Sequence, residues 1–348
     1  MVLGRKKTTK RDFAIGLDLG SAQLKVVLLR RSGEGLELLD YAVLPHTLSF
    51  GRAGTEGQLS QAIQDLLGPI KIHDRRVFVA ISSPSAVVTE IEMPRMPPDE
   101  IRGVLRINST RFLRRDFSDY YFDAVELVDP AGETKGRKTP NMHVLVAGAP
   151  KAEVLWYRNA LVAAKLRVET IELSTVAVIN ALQASHPDLC QQNVVLLLDI
   201  GARGTSLNFL RDGQPVLTRL IPFGSAQVTE LIAVSLGVPT SVAEEKKRAM
   251  SVDAAEVVQN MLATLAREVR ASIDFVERQQ DCQIRHGFIG GGLACNWGIV
   301  EFLAQEVGLN LAQWNPLDGY KISAANKETL PLLAPSLVGA VGVAVGKL

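Results

Sequence analysis

The chain has 348 residues, 47% of them hydrophobic, 22% charged and 5% aromatic, and its 38 basic and 37 acidic side chains leave a formal net charge of +1. That length predicts two or three domains, each with a core of its own, and the composition excludes disordered, collagen-like and disulfide-scaffold classes. Near-neutrality excludes a global electrostatic footprint for nucleic acid, so no nucleic-acid partner is expected.

The first twelve residues are basic and read as a flexible solvated tail, without the apolar core of a signal peptide. From Phe13 the chain alternates strand-like runs, Phe13–Leu17, Leu24–Leu29 and Leu36–Leu44, which predict a β-meander. A helix near Glu56–Leu67 and a strand over Arg76–Ser82 follow. The stretch Met93-Pro-Arg-Met-Pro-Pro98 marks a boundary, because proline removes a backbone donor and biases its predecessor away from helix. Beyond it the pattern is helix to about Leu113, capped by Asp99, strand Tyr121–Val128, strand Met142–Ala149 and helix Lys151–Lys165. The charged loop Asp129–Asn141 reads as a hairpin tip. After a helix over Ser174–Ala184, strands at Asn193–Asp199, Thr205–Leu210 and Pro215–Ile221 repeat the opening plan. Consecutive helices over 225–279, a strand at His286–Ile289, a helix near Asn296–Glu306 and a small-residue helix from Pro335 complete the chain.

No uncharged apolar run reaches the roughly 18 residues that a membrane span requires. The three cysteines, Cys190, Cys282 and Cys295, form no CxxC, and the five histidines form no HExxH. The chain therefore reads as the product of a reducing compartment without a zinc site, and a cytoplasmic location is expected.

The most informative feature is an internal repeat. Asp18-Leu-Gly-Ser-Ala-Gln-Leu-Lys25 and Asp199-Ile-Gly-Ala-Arg-Gly-Thr-Ser206 share one plan, in which an apolar strand ends in Asp-x-Gly and a short polar turn leads to a second strand. Turns of this composition leave backbone N–H groups for phosphate oxygens, and two such turns facing each other can clamp a polyphosphate. An aspartate on each strand would then require a divalent cation, or its waters, between carboxylate and phosphate. Lys25 can reach back to phosphate as a point charge. A third glycine site, Gly290-Gly291-Gly292, lies between a strand and a helix, where backbone can approach a ligand closely. Each element taken alone also fits an ordinary tight turn. Neither a Walker loop nor a dinucleotide fingerprint is present: Gly346-Lys347 lacks its leading glycine and trailing hydroxyl residue, and Gly290-x-Gly292 lacks a third small residue.

These paired hairpins, the glycine cluster and the final small-residue helix resemble the actin-like ATPase superfamily. More narrowly, Leu198-Asp-Ile-Gly-Ala202, Arg211-Asp-Gly-Gln-Pro-Val216, Arg219-Leu-Ile-Pro-Phe-Gly224, Ala243-Glu-Glu-Lys-Lys247 and Asn315-Pro316 resemble the PilM family of type IV pilus assembly proteins, relatives of the cell-division protein FtsA. The resemblance implies an α/β, actin-like (ribonuclease H-like) two-lobe fold with an inserted α+β subdomain. A first lobe over 13–191 would hold the insert at about 90–165, and a second lobe over 192–348 would hold a helical subdomain at about 225–285. It further implies ATP with Mg²⁺ and docking of the cytoplasmic N-terminal peptide of a PilN-like bitopic inner-membrane protein. Association with other pilus assembly proteins, self-association and a peripheral inner-membrane location through the partner follow from the same likeness.

By matching position, Gly20, Ser21 and Lys25 would hold phosphate from the first lobe, and Gly201 and Thr205 from the second. Asp18 and Asp199 would act through the metal shell, Glu244 and Lys247 would contact ribose or base, and Gly291 and Gly292 would pass beneath the adenosine. For Glu244 and Lys247 a surface i,i+3 ion pair fits equally well. Ala202, Arg203 and Ser206-Leu-Asn208 depart from the pattern of related turns, and no residue is assigned to orient the attacking water. Glu172 is a candidate for that task or a helix-start cap. The expectation is nucleotide binding with slow hydrolysis at most. A small-molecule kinase of the same superfamily and a nucleotide-free scaffold are the alternatives.

Overall fold

The computed structural model describes residues 12–33, 35–48, 50–51, 54–72, 74–127, 140–188, 194–325 and 327–348. The expected basic tail through residue 11, most of the expected hairpin tip at 129–141 and Cys190 lie outside the described residues.

Two sheets of matching topology organise the chain. The first has the order β14-β3-β2-β1-β4-β8, where β14 is the short strand Lys321–Ile322, and is built on the antiparallel meander β1 (Phe13–Leu19), β2 (Gln23–Ser32) and β3 (Gly35–Pro45). Strands β4 (Arg76–Ile81) and β8 (Arg167–Leu173) extend it in parallel beyond β1. The second sheet, β11-β10-β9-β12-β13, repeats this order. Its meander is β9 (Val195–Ile200), β10 (Thr205–Arg211) and β11 (Gln214–Ile221), and β12 (His286–Gly290) and β13 (Asn310–Gln313) run parallel beyond β9. The near-continuous burial of β1 and β9 follows from their central position, since a strand covered on both faces must be apolar throughout.

Helices cover both faces. One core packs α1 (Glu56–Leu67) and α3 (Lys151–Ala163) on the outer face of the first sheet, and another packs the helices of the second lobe on its own sheet. A third core belongs to both lobes: α4 (Ser174–Ser185) and α10 (Val338–Val345) are buried together with Ala14, Val27 and Phe78 of the first sheet and Val195, Leu197 and Leu210 of the second. The small residues of α10 permit this, because a Cβ on Gly342 would fall within contact distance of the Ala177 carbonyl of α4.

The inserted subdomain is a separate three-stranded antiparallel sheet, β5-β7-β6, of Val87–Pro94, Asn141–Pro150 and Tyr120–Leu127. It carries α2 (Pro98–Leu113) and a small core around Met93, Leu105 and Phe117. Strand β5 was not expected from the sequence. It runs into the proline-rich boundary because Pro94 ends the strand, where a missing N–H costs little. Asp99 does not cap α2: the helix starts at Pro98 with no side-chain cap bond, and Asp99 lies in its acidic first turn.

Residues 192–348 do not all stay with the second sheet. Strand β14 (Lys321–Ile322) pairs with β3, and α10 lies against β1, so the chain returns to the first lobe. Glu37 anchors that return, accepting hydrogen bonds from Arg30 and Ser323 and facing Lys321 at 3.6 Å.

Candidate functional site

The two Asp-x-Gly turns sit at the carboxyl ends of the central strands β1 and β9, which is where open α/β sheets place their ligand crevices. Their register is equivalent. Asp18 stands opposite Lys25 on β2 and Ala80 on β4, and Asp199 stands opposite Ser206 on β10 and Gly290 on β12. A Cβ on Gly20 would come within 2.9 Å of the Gln23 carbonyl, and one on Gly201 within 2.9 Å of the Gly204 carbonyl. Both tight turns therefore demand glycine at the same point.

Lys25 ties the lobes together electrostatically. Its Nζ lies 2.9 Å from Asp18 Oδ2. Burial opposes its charge, but the Asp18 and Asp199 carboxylates outweigh burial and hold its pKa above the ordinary lysine value. Burial raises the Asp199 pKa to about 6, the Asp18 charge adds to the rise, and Lys25 opposes it. One lysine thus serves two aspartates, because Ser206 takes the position in the second hairpin that Lys25 holds in the first. Two polar atoms beside these aspartates, Asp18 Oδ1 and Ser206 Oγ, are buried without a hydrogen-bond partner.

Other elements close around this pair. A Cβ on Gly339 of α10 would meet the Asp18 carboxylate at 3.1 Å. Gly291, at φ +91°, donates its N–H to the Pro335 carbonyl, and a Cβ there would approach Asp199 Oδ1 at 2.8 Å. Gly292 differs: it is exposed, helical in φ, and a Cβ on it would meet nothing within 4 Å. The turn at 201–204 is braced from below by α5 (Ser225–Leu236), whose Ser225 and Ala226 N–H groups donate to the Gly201 and Ala202 carbonyls.

The remaining expected residues fall into two groups. Gly20, Ser21, Lys25 and Gly201 lie at the turns and are partly exposed. The Thr205 side chain is not presented to a ligand; it is 1% exposed and its hydroxyl donates to the Phe223 carbonyl at 2.8 Å. Glu244 and Lys247 lie on α6 (Thr240–Ala249), and their pairing is not a surface ion pair. The Lys247 ammonium donates to Glu244 Oε2 at 2.6 Å, Thr229 Oγ1 at 2.8 Å and the Ser225 carbonyl at 3.2 Å, which uses all three of its N–H groups. Burial lowers the Lys247 pKa more than Glu244 raises it. Lys247 therefore braces α6 against the start of α5, and the half-buried Glu244 accepts from Thr229 at 2.7 Å and Lys247 through Oε2 and from Arg248 at 2.9 Å through Oε1. Glu172 neither caps α4 nor stands free; it pairs with Lys347 at 3.0 Å and accepts from Asn180 at 3.3 Å.

Sequence reasoning missed His46, Ser225 and Thr229, because each acts through a contact distant in the chain that no local motif marks. Gly339 was legible only as a packing glycine.

Among the described residues no cluster of three or more His, Cys, Asp or Glu side chains is present that could enclose a metal ion. A cation in this cleft would thus find its protein carboxylates in Asp18 and Asp199, directly or through water, and draw further ligands from phosphate and solvent. The unpartnered Asp18 Oδ1 fits such a role. No single helix among the described residues is long and apolar enough to cross a membrane.

A family model described as type IV pilus assembly protein PilM matches residues 16–347. Among solved structures, the chain is similar to one described as a PilM-PilN type IV pilus biogenesis complex, with 26% identity, a TM-score of 0.83, and 97% of this chain and 99% of that chain covered. It shares its fold with the ethanolamine utilization protein EutJ from Carboxydothermus hydrogenoformans, at 15% identity and a TM-score of 0.58 over 97% of this chain and 91% of that one. The two-lobe architecture is the actin-like fold, and the chain belongs to the PilM family of type IV pilus assembly proteins.

Proposed function

We propose that the cleft between the two turns holds a nucleoside triphosphate, ATP with Mg²⁺, and that the protein works as a nucleotide-binding assembly factor rather than as an efficient enzyme. The observation that carries this reading is the convergence of Asp18, Lys25 and Asp199 from two lobes, with one aspartate oxygen left unpartnered. Gly20, Ser21 and Gly201 supply turn backbone for phosphate oxygens, and Lys25 supplies charge that is released from Asp18 as phosphate approaches. The cation, when bound, neutralises phosphate charge facing the two aspartates. Gly292 offers open space for adenosine, and Glu244, half-buried on α6 with Arg248 on its Oε1, is the candidate for the ribose. Glu172 is tied to Lys347 and Asn180, so no carboxylate is assigned to orient water, which supports slow turnover at most.

Lobe closure on the nucleotide would shift the population toward one arrangement of the two sheets, and by linkage toward one arrangement of any surface that spans them. The structural likeness to a PilM-PilN complex supports a PilN-like membrane protein as the partner, which would place this protein peripherally at the inner membrane.

The test is titration of the purified protein with Mg-ATP, alongside Gly292→Leu. Open space at Gly292 means that the substitution leaves the melting temperature within about 2 °C of the parent, since surface changes usually fall within ±0.5 kcal/mol, while affinity falls at least about tenfold. Absence of saturable binding by the parent protein would falsify the nucleotide reading. Binding unchanged in Gly292→Leu would remove adenosine from this turn. Pull-down with a PilN-like cytoplasmic peptide, with and without Mg-ATP, tests the partner.

A further inference from the structure

The first phosphate turn is flexible by composition, because glycine readily accepts a rotated peptide plane. A carbonyl that swung into the cleft would oppose phosphate with a negative dipole. Residue 46, just past the end of β3, restrains this turn twice. Its backbone N–H donates to the Ala22 carbonyl at 2.9 Å, and its ring Nε2 lies 2.7 Å from the Gly20 carbonyl. The other ring nitrogen accepts from the Leu48 N–H at 3.0 Å. Since Nδ1 accepts, the proton resides on Nε2, and both contacts are satisfied only by the neutral Nε2–H tautomer.

We propose that His46 is a positioning residue of the phosphate turn, which clips the Gly20 and Ala22 carbonyls to the end of β3, and that protonation of the ring loosens the clip by breaking its brace from the Leu48 N–H. Protonation would set an N–H on Nδ1 against the Leu48 N–H and break that bond. It would also add a third cation beside Lys25 of β2 and Arg203 of the turn after β9, with Asp18 of β1 the one opposing charge. Burial, the largest influence, acts with those two cations against the charged ring and outweighs the Gly20 hydrogen bond and Asp18, which favour it.

This inference deepens the nucleotide reading and rests on it for its functional consequence. The experiment measures Mg-ATP affinity from pH 5.5 to 8 for the parent, His46→Ala and His46→Gln, together with amide hydrogen exchange of Ser21 and Ala22 without nucleotide. Glutamine can donate to the Gly20 carbonyl but does not titrate. His46→Ala should lose about tenfold in affinity at pH 7.5 and exchange faster at Ser21 and Ala22. His46→Gln should recover most of the affinity and weaken less than the parent on acidification, the titration of the phosphate itself being common to both. Equal affinity and exchange in His46→Ala, or identical pH profiles for the parent and His46→Gln, would overturn the clip. If the parent binds no Mg-ATP, the nucleotide reading fails, and the exchange rates of Ser21 and Ala22 alone decide the clip.

Discussion

Replacing Asp199 by asparagine should make the nucleotide-free protein more stable and the nucleotide complex weaker. The folded structure moves the Asp199 pKa from 3.8 to about 6. At about 1.36 kcal/mol per pH unit, holding this carboxylate ionised at pH 7 costs at most about 3 kcal/mol. The side chain is partly exposed, and an amide there still needs hydrogen bonds, so a gain of about 1–2 kcal/mol is expected. The sign follows from proton counts. Between pH 3.8 and 6 the folded state binds more protons at this site than the unfolded state, so the parent loses stability as pH rises through that window and the penalty is complete above it. Urea denaturation of both proteins at pH 7 should therefore show asparagine ahead, and the gap should close as pH falls toward 4. Mg-ATP affinity should drop at least about tenfold at pH 7, in keeping with binding sites that sacrifice stability for function. An Asp199→Asn protein less stable than its parent at pH 7, or a gap that stays constant with pH, would refute the argument that Asp199 is held ionised against its surroundings.

Three further outcomes test the packing. Gly342→Ala should cost about 3 kcal/mol, because its methyl group enters the Ala177 carbonyl where α10 crosses α4, and a melting temperature equal to the parent's would contradict that crossing. Gly103→Ala, at an exposed position in α2 with open space around the new methyl group, should instead stabilise by about 0.5–1 kcal/mol in the same melting assay. Hydrogen bonds from Ser323 and Arg30 hold the Glu37 carboxyl at about 2, so Glu37→Gln should be less stable than the parent above pH 4.5, with the difference vanishing as pH falls through 2. A pH-independent difference in acid titrations followed by circular dichroism would show that the glutamate charge is not what anchors β14.

The chain's own order of residues determined the duplicated strand–turn–strand plan, since an apolar run, Asp-x-Gly and a polar turn are local and act the same wherever they occur. It also marked the glycine-to-helix turn and the packing glycines of α10, because small residues at helical spacing have few other uses. Strand β5 escaped although its Glu90-Ile-Glu-Met93 alternates, because it runs straight into the proline boundary, and β8, Arg-Val-Glu-Thr-Ile-Glu-Leu, carries no clean alternation and is only partly buried. Only the tertiary structure decided that one lysine answers two aspartates, that Thr205 turns its hydroxyl to Phe223, that Lys247 is a buried brace, and that the last residues return to the first sheet. In each case the partner lies many residues away, and a side chain's role is set by which donors and acceptors the fold brings within 3 Å of it, a quantity that spacing along the chain does not contain.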